Sequence, residues 1–147
     1  MKLALLIGIN YRGQDGELRG CINDVTAMRK FLLDHMGFKK EEITVMTDDE
    51  TGNLLPTNRN IMTRIGRMVI DAYYGKADEL WIHFSGHGAS THDRSGDEDD
   101  GKDEVLAPLD YKTGGVISDD DLHYFLSRLP STCKTFCLFD CCHSGTS

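Results

Sequence analysis

Two short stretches hold the residues best suited to chemistry. His87 sits between Gly86 and Gly88 in His83-Phe84-Ser85-Gly86-His87-Gly88, and Cys142 follows an acid in Phe139-Asp140-Cys141-Cys142-His143-Ser144-Gly145. A thiol at its ordinary pKa is only slightly ionised at neutral pH. A neighbouring imidazole that takes its proton makes it a usable nucleophile. The glycines let a substrate backbone approach closely, and the amides of Gly88 and Cys142 are the natural donors to a developing oxyanion. His143 competes with His87 as base, but adjacent side chains diverge, so His87 ranks above it. Cys141 competes as nucleophile, and one residue nearer the strand it is expected to face the sheet–helix packing. A lone cysteine and a lone histidine would read as a core hydrophobe and a satisfied loop residue. Two glycine-flanked motifs together favour a nucleophile–base pair.

Both motifs end apolar, β-prone runs, and the elements around them alternate. Residues 2–9 are nearly continuously apolar, as in a central strand covered on both faces. Asn10 to Gly20 is a glycine-punctuated loop, and Asn23 is expected to cap a helix bearing Val25, Met28, Phe31 and Leu32 at helical spacing, ended by Gly37. A second strand spans 42–47. A second helix starts at Thr57 or Asn58, places Ile61, Ile65, Met68, Val69 and Ala72 on one face, and ends near Gly75. The third strand is expected at 80–85, followed by a long acidic loop from Gly86 to about Lys102. Short strands at 104–109 and 115–117 suggest a small accessory ribbon. Ser118 opens a helix that Pro130 stops, and 133–139 is the fourth main strand.

This order predicts a single α/β domain over 1–147, with a mainly parallel central sheet flanked by helices. Right-handed crossovers bring successive strand ends to one side, where such sheets bind ligands. His87 and Cys142 are therefore expected just past the carboxyl ends of two strands. If those strands are parallel neighbours, thiol and imidazole meet.

The formal net charge of −8 argues against nucleic acid or an anionic membrane as partner, and for cationic ligands or metal ions. Five cysteines, two of them adjacent, do not look like a disulfide framework and fit a reducing, cytoplasmic setting. The apolar opening is too short for a secretory signal and lacks a cleavage site, and no stretch is long enough to span a membrane.

The two motifs, with Leu6-Ile7-Gly8-Ile9-Asn10-Tyr11, Gly20-Cys21-Ile22-Asn23-Asp24 and Ala107-Pro108-Leu109-Asp110, resemble the signatures of the metacaspases, caspase-like cysteine proteases. The resemblance covers essentially the whole chain. It implies a caspase-like three-layer sandwich, Cys142 as nucleophile, His87 as base, and polypeptide substrates cleaved after Arg or Lys. It also implies a basic-residue pocket carrying Asp24 and Asp140, with Ser85 and Cys21 beside them. Carboxylates in a partly desolvated cleft are what a guanidinium requires. Asp24 equally suits a helix N-terminus, where the dipole favours an acid.

The acidic run from Asp93 to Glu104 does not fit an EF-hand, because Gly101 is not at the required offset. The resemblance implies activating Ca²⁺ held by Asp103, Asp119 and Asp120, with a further Asp beyond the cysteine that this chain, ending at Ser147, does not contain. Asp119-Asp120-Asp121 also reads as an acidic first helical turn capped by Ser118. Family members carry more chain after the cysteine. The sequence therefore reads as a large-subunit region: a processed subunit, a compact member, or a truncated form. Its open sheet edge would suit a complementing small subunit or self-association. Two other readings stay open: a non-catalytic module that binds peptides or a subunit, and a calcium-responsive regulator.

Overall fold

The computed structural model describes residues 1–92 and 102–143, with the backbone alone at 89–92, 102–104, 142 and 143. In chain order the elements are β1 (Lys2–Gly8), α1 (Cys21–His35), β2 (Ile43–Thr47), α2 (Asn58–Tyr73), β3 (Glu79–His92), β4 (Lys102–Leu106), the single turn α3 (Tyr111–Gly114), β5 (Ile117–Ser118), α4 (Asp119–Leu126) and β6 (Lys134–His143).

One sheet contains all six strands of the described residues. Its path is β2-β1-β3-β4-β5, with β6 also on β3. The pairs β1–β2, β1–β3 and β3–β6 are parallel, whereas β3–β4 and β4–β5 are antiparallel. The sheet is thus mixed, and the expected accessory ribbon is not separate from it. β4 and β5 extend the same sheet from the distal part of β3.

Helices cover both faces, as the two-residue alternation of β1 requires. Leu5 and Ile7 pack with Leu80, Ile82 and Phe84 against Ile61, Ile65, Met68 and Val69 of α2. Ala4 and Leu6 face the other way, with Val25 and Leu32 of α1 and Phe38. Each fully buried Leu, Ile or Phe contributes about 1.5–3 kcal/mol. Gly8 permits the α1 contact: a Cβ there would lie 2.7 Å from the Cys21 carbonyl oxygen and 2.8 Å from Val25 Cγ2.

Three boundaries differ from expectation in ways that bear on the site. β3 does not stop at 85 but runs on to His92, and β6 runs on to His143. β1 ends opposite Ser85, but β6 keeps pairing with β3 through Gly88, and β4 joins from Gly88 onward. Continuous ladder partners carry the strand through its two glycines. The loop expected from Gly86 is therefore strand as far as His92, while the acidic residues 93–101 lie outside the described residues.

Helix α1 begins at Cys21 rather than behind an Asn23 cap. Its first N–H donates instead to Oδ1 of Asn10, 3.0 Å away, from the loop after β1. Helix α2 has the expected Thr57 cap, whose side chain accepts from Asn60 N–H. Ser118 and Asp121 form a reciprocal capping box at α4.

Candidate active site

His87 and Cys142 are direct partners in the parallel β3–β6 ladder, one position beyond the pair Gly86–Cys141 and two beyond Ser85–Asp140. Neighbouring strands lie about 4.8 Å apart, and residues directly opposite share a face. Both residues sit inside their strands rather than past the ends. They lie instead just beyond the last β1 residue, Gly8, which pairs with Ser85.

The space that β1 leaves beside His87 is filled by the loop that follows it. Tyr11 is fully buried, and its ring centroid is 4.6 Å from that of His87. Its hydroxyl accepts from the His87 backbone N–H at 2.9 Å and donates to the Ala107 carbonyl at 2.5 Å. Burial pushes the Tyr11 phenol pKa well up, so it stays a neutral donor. Gly86 is required at this contact, since a Cβ there would lie 2.8 Å from the Tyr11 hydroxyl.

Further along the same loop, Gly16 O lies 2.5 Å from Nε2 of His87. A carbonyl can only accept, so this contact places the proton on Nε2 and makes Nδ1 the basic nitrogen of the ring. The loop is itself tied down: Asp48 accepts from the backbone N–H groups of Asn10 and Arg12, and Arg12 pairs with Asp49 at 2.7 Å.

Two of the four residues expected around a basic side chain are in direct contact. Ser85 is buried, and its hydroxyl donates to Oδ2 of Asp24 at 2.7 Å. Asp140 is exposed and directly opposite Ser85 in the ladder. Cys21 is buried at the start of α1, where the helix crosses Gly8. His83 is buried on the same strand as Ser85, and Asp24 and Asp140 both act to raise its pKa. Burial outweighs them and holds the ring below its ordinary value.

Gly88 lies opposite His143 of β6 and Leu106 of β4. A side chain there would collide with Cys141, whose Cβ and Sγ would be 2.7 and 2.9 Å away. Cys141 itself packs against the α2-side core.

The residues expected to hold a cation lie on two neighbouring elements. Asp119 and Asp120 are exposed on the first turn of α4. Asp103 is in β4, opposite Thr91, and its side chain lies outside the described residues. Among the described residues no three His, Cys, Asp or Glu side chains converge on a metal position.

The contacts of Tyr11 and Gly16 with His87 have no signal in the sequence. A tyrosine after Asn10 reads as loop, and a carbonyl contact leaves no mark on residue type. The Ala107–Asp110 segment serves chiefly to tie elements together: Ala107 takes the Tyr11 bond, and Oδ1 of Asp110 accepts from Asn58 N–H at the start of α2.

Comparison with known proteins gives a consistent result. Residues 2–147 match the family described as "Metacaspase, peptidase C14 domain". The chain is 49% identical over 146 residues to Metacaspase-1B of Aspergillus oryzae, covering 98% of this chain and 34% of that protein. It is 47% identical over 148 residues to Metacaspase-1 of Cryptococcus neoformans var. neoformans, covering 99% and 32%. The chain thus spans about a third of the length of these curated relatives. A solved structure of a Geobacter sulfurreducens protein superposes with a TM-score of 0.71 at 27% identity, covering 99% of this chain and 52% of that one. No described helix is long and apolar enough to cross a membrane.

Proposed function

Because the chain belongs to the metacaspases, the C14 family of cysteine peptidases, we propose that it is a cysteine endopeptidase that cleaves peptide bonds after Arg or Lys. The observation that carries this reading is the parallel register that sets His87 directly across from Cys142.

Nδ1 of His87 takes the proton of the Cys142 thiol, and the thiolate attacks the scissile carbonyl. The amides of Gly88 and Cys142 stabilise the oxyanion. As the tetrahedral species collapses, the C–N bond breaks and the imidazolium gives its proton to the departing amine. Water, deprotonated by His87, then attacks the thioester and releases acid and thiol. Tyr11 and Gly16 act as positioning residues: one holds the His87 backbone and supports the ring, the other fixes the tautomer. Asp24, with its rotamer set by Ser85, and Asp140 receive the basic side chain.

The all-carboxylate set of Asp103, Asp119 and Asp120 fits a hard divalent cation, and Val105 pairs with Ser118, which carries both segments to one end of the β4–β5 ribbon. Ca²⁺ held there would neutralise these acids and brace the ribbon that pairs with β3 just after His87.

A second reading is favoured by the free side of β6. Phe136, Leu138 and Phe139 are 46%, 49% and 38% exposed, and β6 pairs with β3 alone among the described residues. Such an edge suits a complementing subunit or another peptide strand, so that the chain acts in a complex with polypeptide partners.

The test is hydrolysis of matched peptides ending in Arg, Lys or Asp, with and without Ca²⁺. Cleavage after Arg and Lys, falling at least about a thousandfold in Cys142→Ala, is expected. Cleavage only after Asp would refute the specificity, and activity that survives Cys142→Ala would refute the mechanism.

A further inference from the structure

The solvent side of α2 carries charge of one sign. From Asn58 to Ile70 the helix holds Arg59, Arg64 and Arg67 and no acid, in a chain where 24 Asp and Glu outnumber 16 Lys and Arg. A cavity of about 280 Å³ lies beside this part of the helix. Asn60, Thr63, Arg64 and Arg67 line it from α2, and Asn53 lines it from the single turn Gly52–Leu54. The four helical residues recur at three- and four-residue spacing, so one stripe of α2 forms the wall. The neighbouring stripe, with Ile61, Ile65 and Met68, is in the core.

Neither guanidinium has a hydrogen bond or ion pair among the described residues, although Arg64 is half-buried. Glu41, Glu42 and Asp71 share a second, smaller cavity with the same two arginines, next to Thr44 of β2. Glu42 is engaged elsewhere, its two carboxylate oxygens accepting from the backbone N–H groups of Lys2 and Lys39. Glu41 and Asp71 form no ion pair with either arginine. The wall is held in place without a ligand. Nδ2 of Asn60 donates to the Gly52 and Leu55 carbonyls at 3.0 and 2.9 Å, which ties the turn bearing Asn53 to the helix. The donors left to face the cavity are the two guanidiniums, the Thr63 hydroxyl and the Asn53 amide.

We propose that this cleft binds a small dianionic phosphate, free or as a monoester, between the Arg64 and Arg67 side chains. Guanidinium and phosphate match in geometry as well as charge, and two forks one helical turn apart can grip separate oxygens of one tetrahedral group. Two fixed positive charges exclude a metal cation. An extended polyanion is disfavoured by Glu41 and Asp71 in the adjoining cavity and by the net charge of −8. The volume falls just below the roughly 300–1,000 Å³ of drug-sized ligand sites, which leaves room for one phosphate and a few further atoms. None of the lining residues belongs to the His87–Cys142 site, so the inference stands apart from the peptidase reading.

Thermal unfolding of the full chain in rising inorganic phosphate, at constant ionic strength, tests the site. Phosphate is expected to raise the midpoint progressively, because it binds only the folded chain. Arg64→Gln and Arg67→Gln are each expected to weaken the apparent affinity about tenfold. Arg59→Gln, on the same helix but outside the cleft, is expected to change it less than about twofold. In the unsubstituted chain, phosphate is expected to shift the side-chain ¹⁵N resonances of Arg64, Arg67 and Asn53 and to leave that of Arg59 in place. This readout needs no variant to fold.

Two further probes separate the sources of the phosphate. Methyl phosphate bound as tightly as inorganic phosphate identifies a monoester site, and methyl phosphate bound more weakly identifies a site for the free ion. Dimethyl phosphate, a monoanion with two free oxygens, is expected to bind about tenfold or more weakly than the better dianion. A midpoint that follows ionic strength alone, unmoved arginine resonances, or undiminished affinity in Arg64→Gln and Arg67→Gln overturns the proposal. So does dimethyl phosphate bound as tightly as the dianions, which would point to a diester backbone instead.

Discussion

Tyr11 has φ of 56°, a left-handed backbone that non-glycine residues seldom adopt, and it holds that conformation while fully buried against His87. Its hydroxyl bridges the His87 N–H and the Ala107 carbonyl, so Tyr11→Phe leaves both without that partner. Such a loss costs about 1–3 kcal/mol of stability. Steady-state kinetics are expected to show kcat down about tenfold with KM within about twofold, the signature of a misplaced base rather than a lost binding contact. His83 gives a pH signature of its own. Its pKa is held below the ordinary value in the folded chain, so its contribution to stability is fully present above the unfolded pKa of about 6.5 and is lost as pH falls. Denaturant midpoints of the unsubstituted chain are expected to drop between pH 8 and pH 5 by more than those of His83→Phe. At this scale residue type was legible: a thiol, an imidazole and acids stood out because few folds place them by chance behind buried strands. Tyr11 and Gly16 did not stand out, because their roles lie in a backbone angle and a carbonyl.

Among the elements, β1 and α1 are the pair that must pack most closely for Asp24 to reach Ser85. A methyl group at Gly8 would press on the Cys21 carbonyl and on Val25. Gly8→Ala is expected to lower stability by about 1–3 kcal/mol in urea unfolding and to weaken Arg-substrate binding together with it, since the helix carrying Asp24 has to move. Asp110→Ala tests a different joint. It removes the acceptor for Asn58 N–H at the start of α2, costing about 1 kcal/mol with little change in specificity. Periodicity made the helices and the inner strands readable, because burial on two faces imposes it. The length of β3 was not readable: Gly86 and Gly88 signal a turn locally, yet β4 and β6 supply ladder partners on both sides. The start of α1 was hidden likewise, since its cap comes from Asn10, eleven residues earlier.

For the whole molecule, the parallel strands β2-β1-β3-β6 bring together two motifs separated by more than fifty residues, and the antiparallel β4 and β5 lengthen the sheet beyond His87. Alternation of strand and helix predicted that convergence, whereas the mixed character of the sheet depended on a ribbon too short to assign a partner from sequence. The open edge of β6 has its own consequence. Replacing exposed Leu138 with Lys is expected to reduce concentration-dependent association in sedimentation experiments while leaving the far-ultraviolet spectrum unchanged. The adjacency of Cys142 and His87 is tested most directly by thiol reactivity: alkylation by iodoacetamide as a function of pH, resolved cysteine by cysteine by mass spectrometry. Cys142 is predicted to react at neutral pH well ahead of Cys21, Cys133, Cys137 and Cys141, and to slow about tenfold or more in His87→Ala. A Cys142 that titrates like an ordinary thiol and does not respond to the loss of His87 would contradict the pairing on which the function depends.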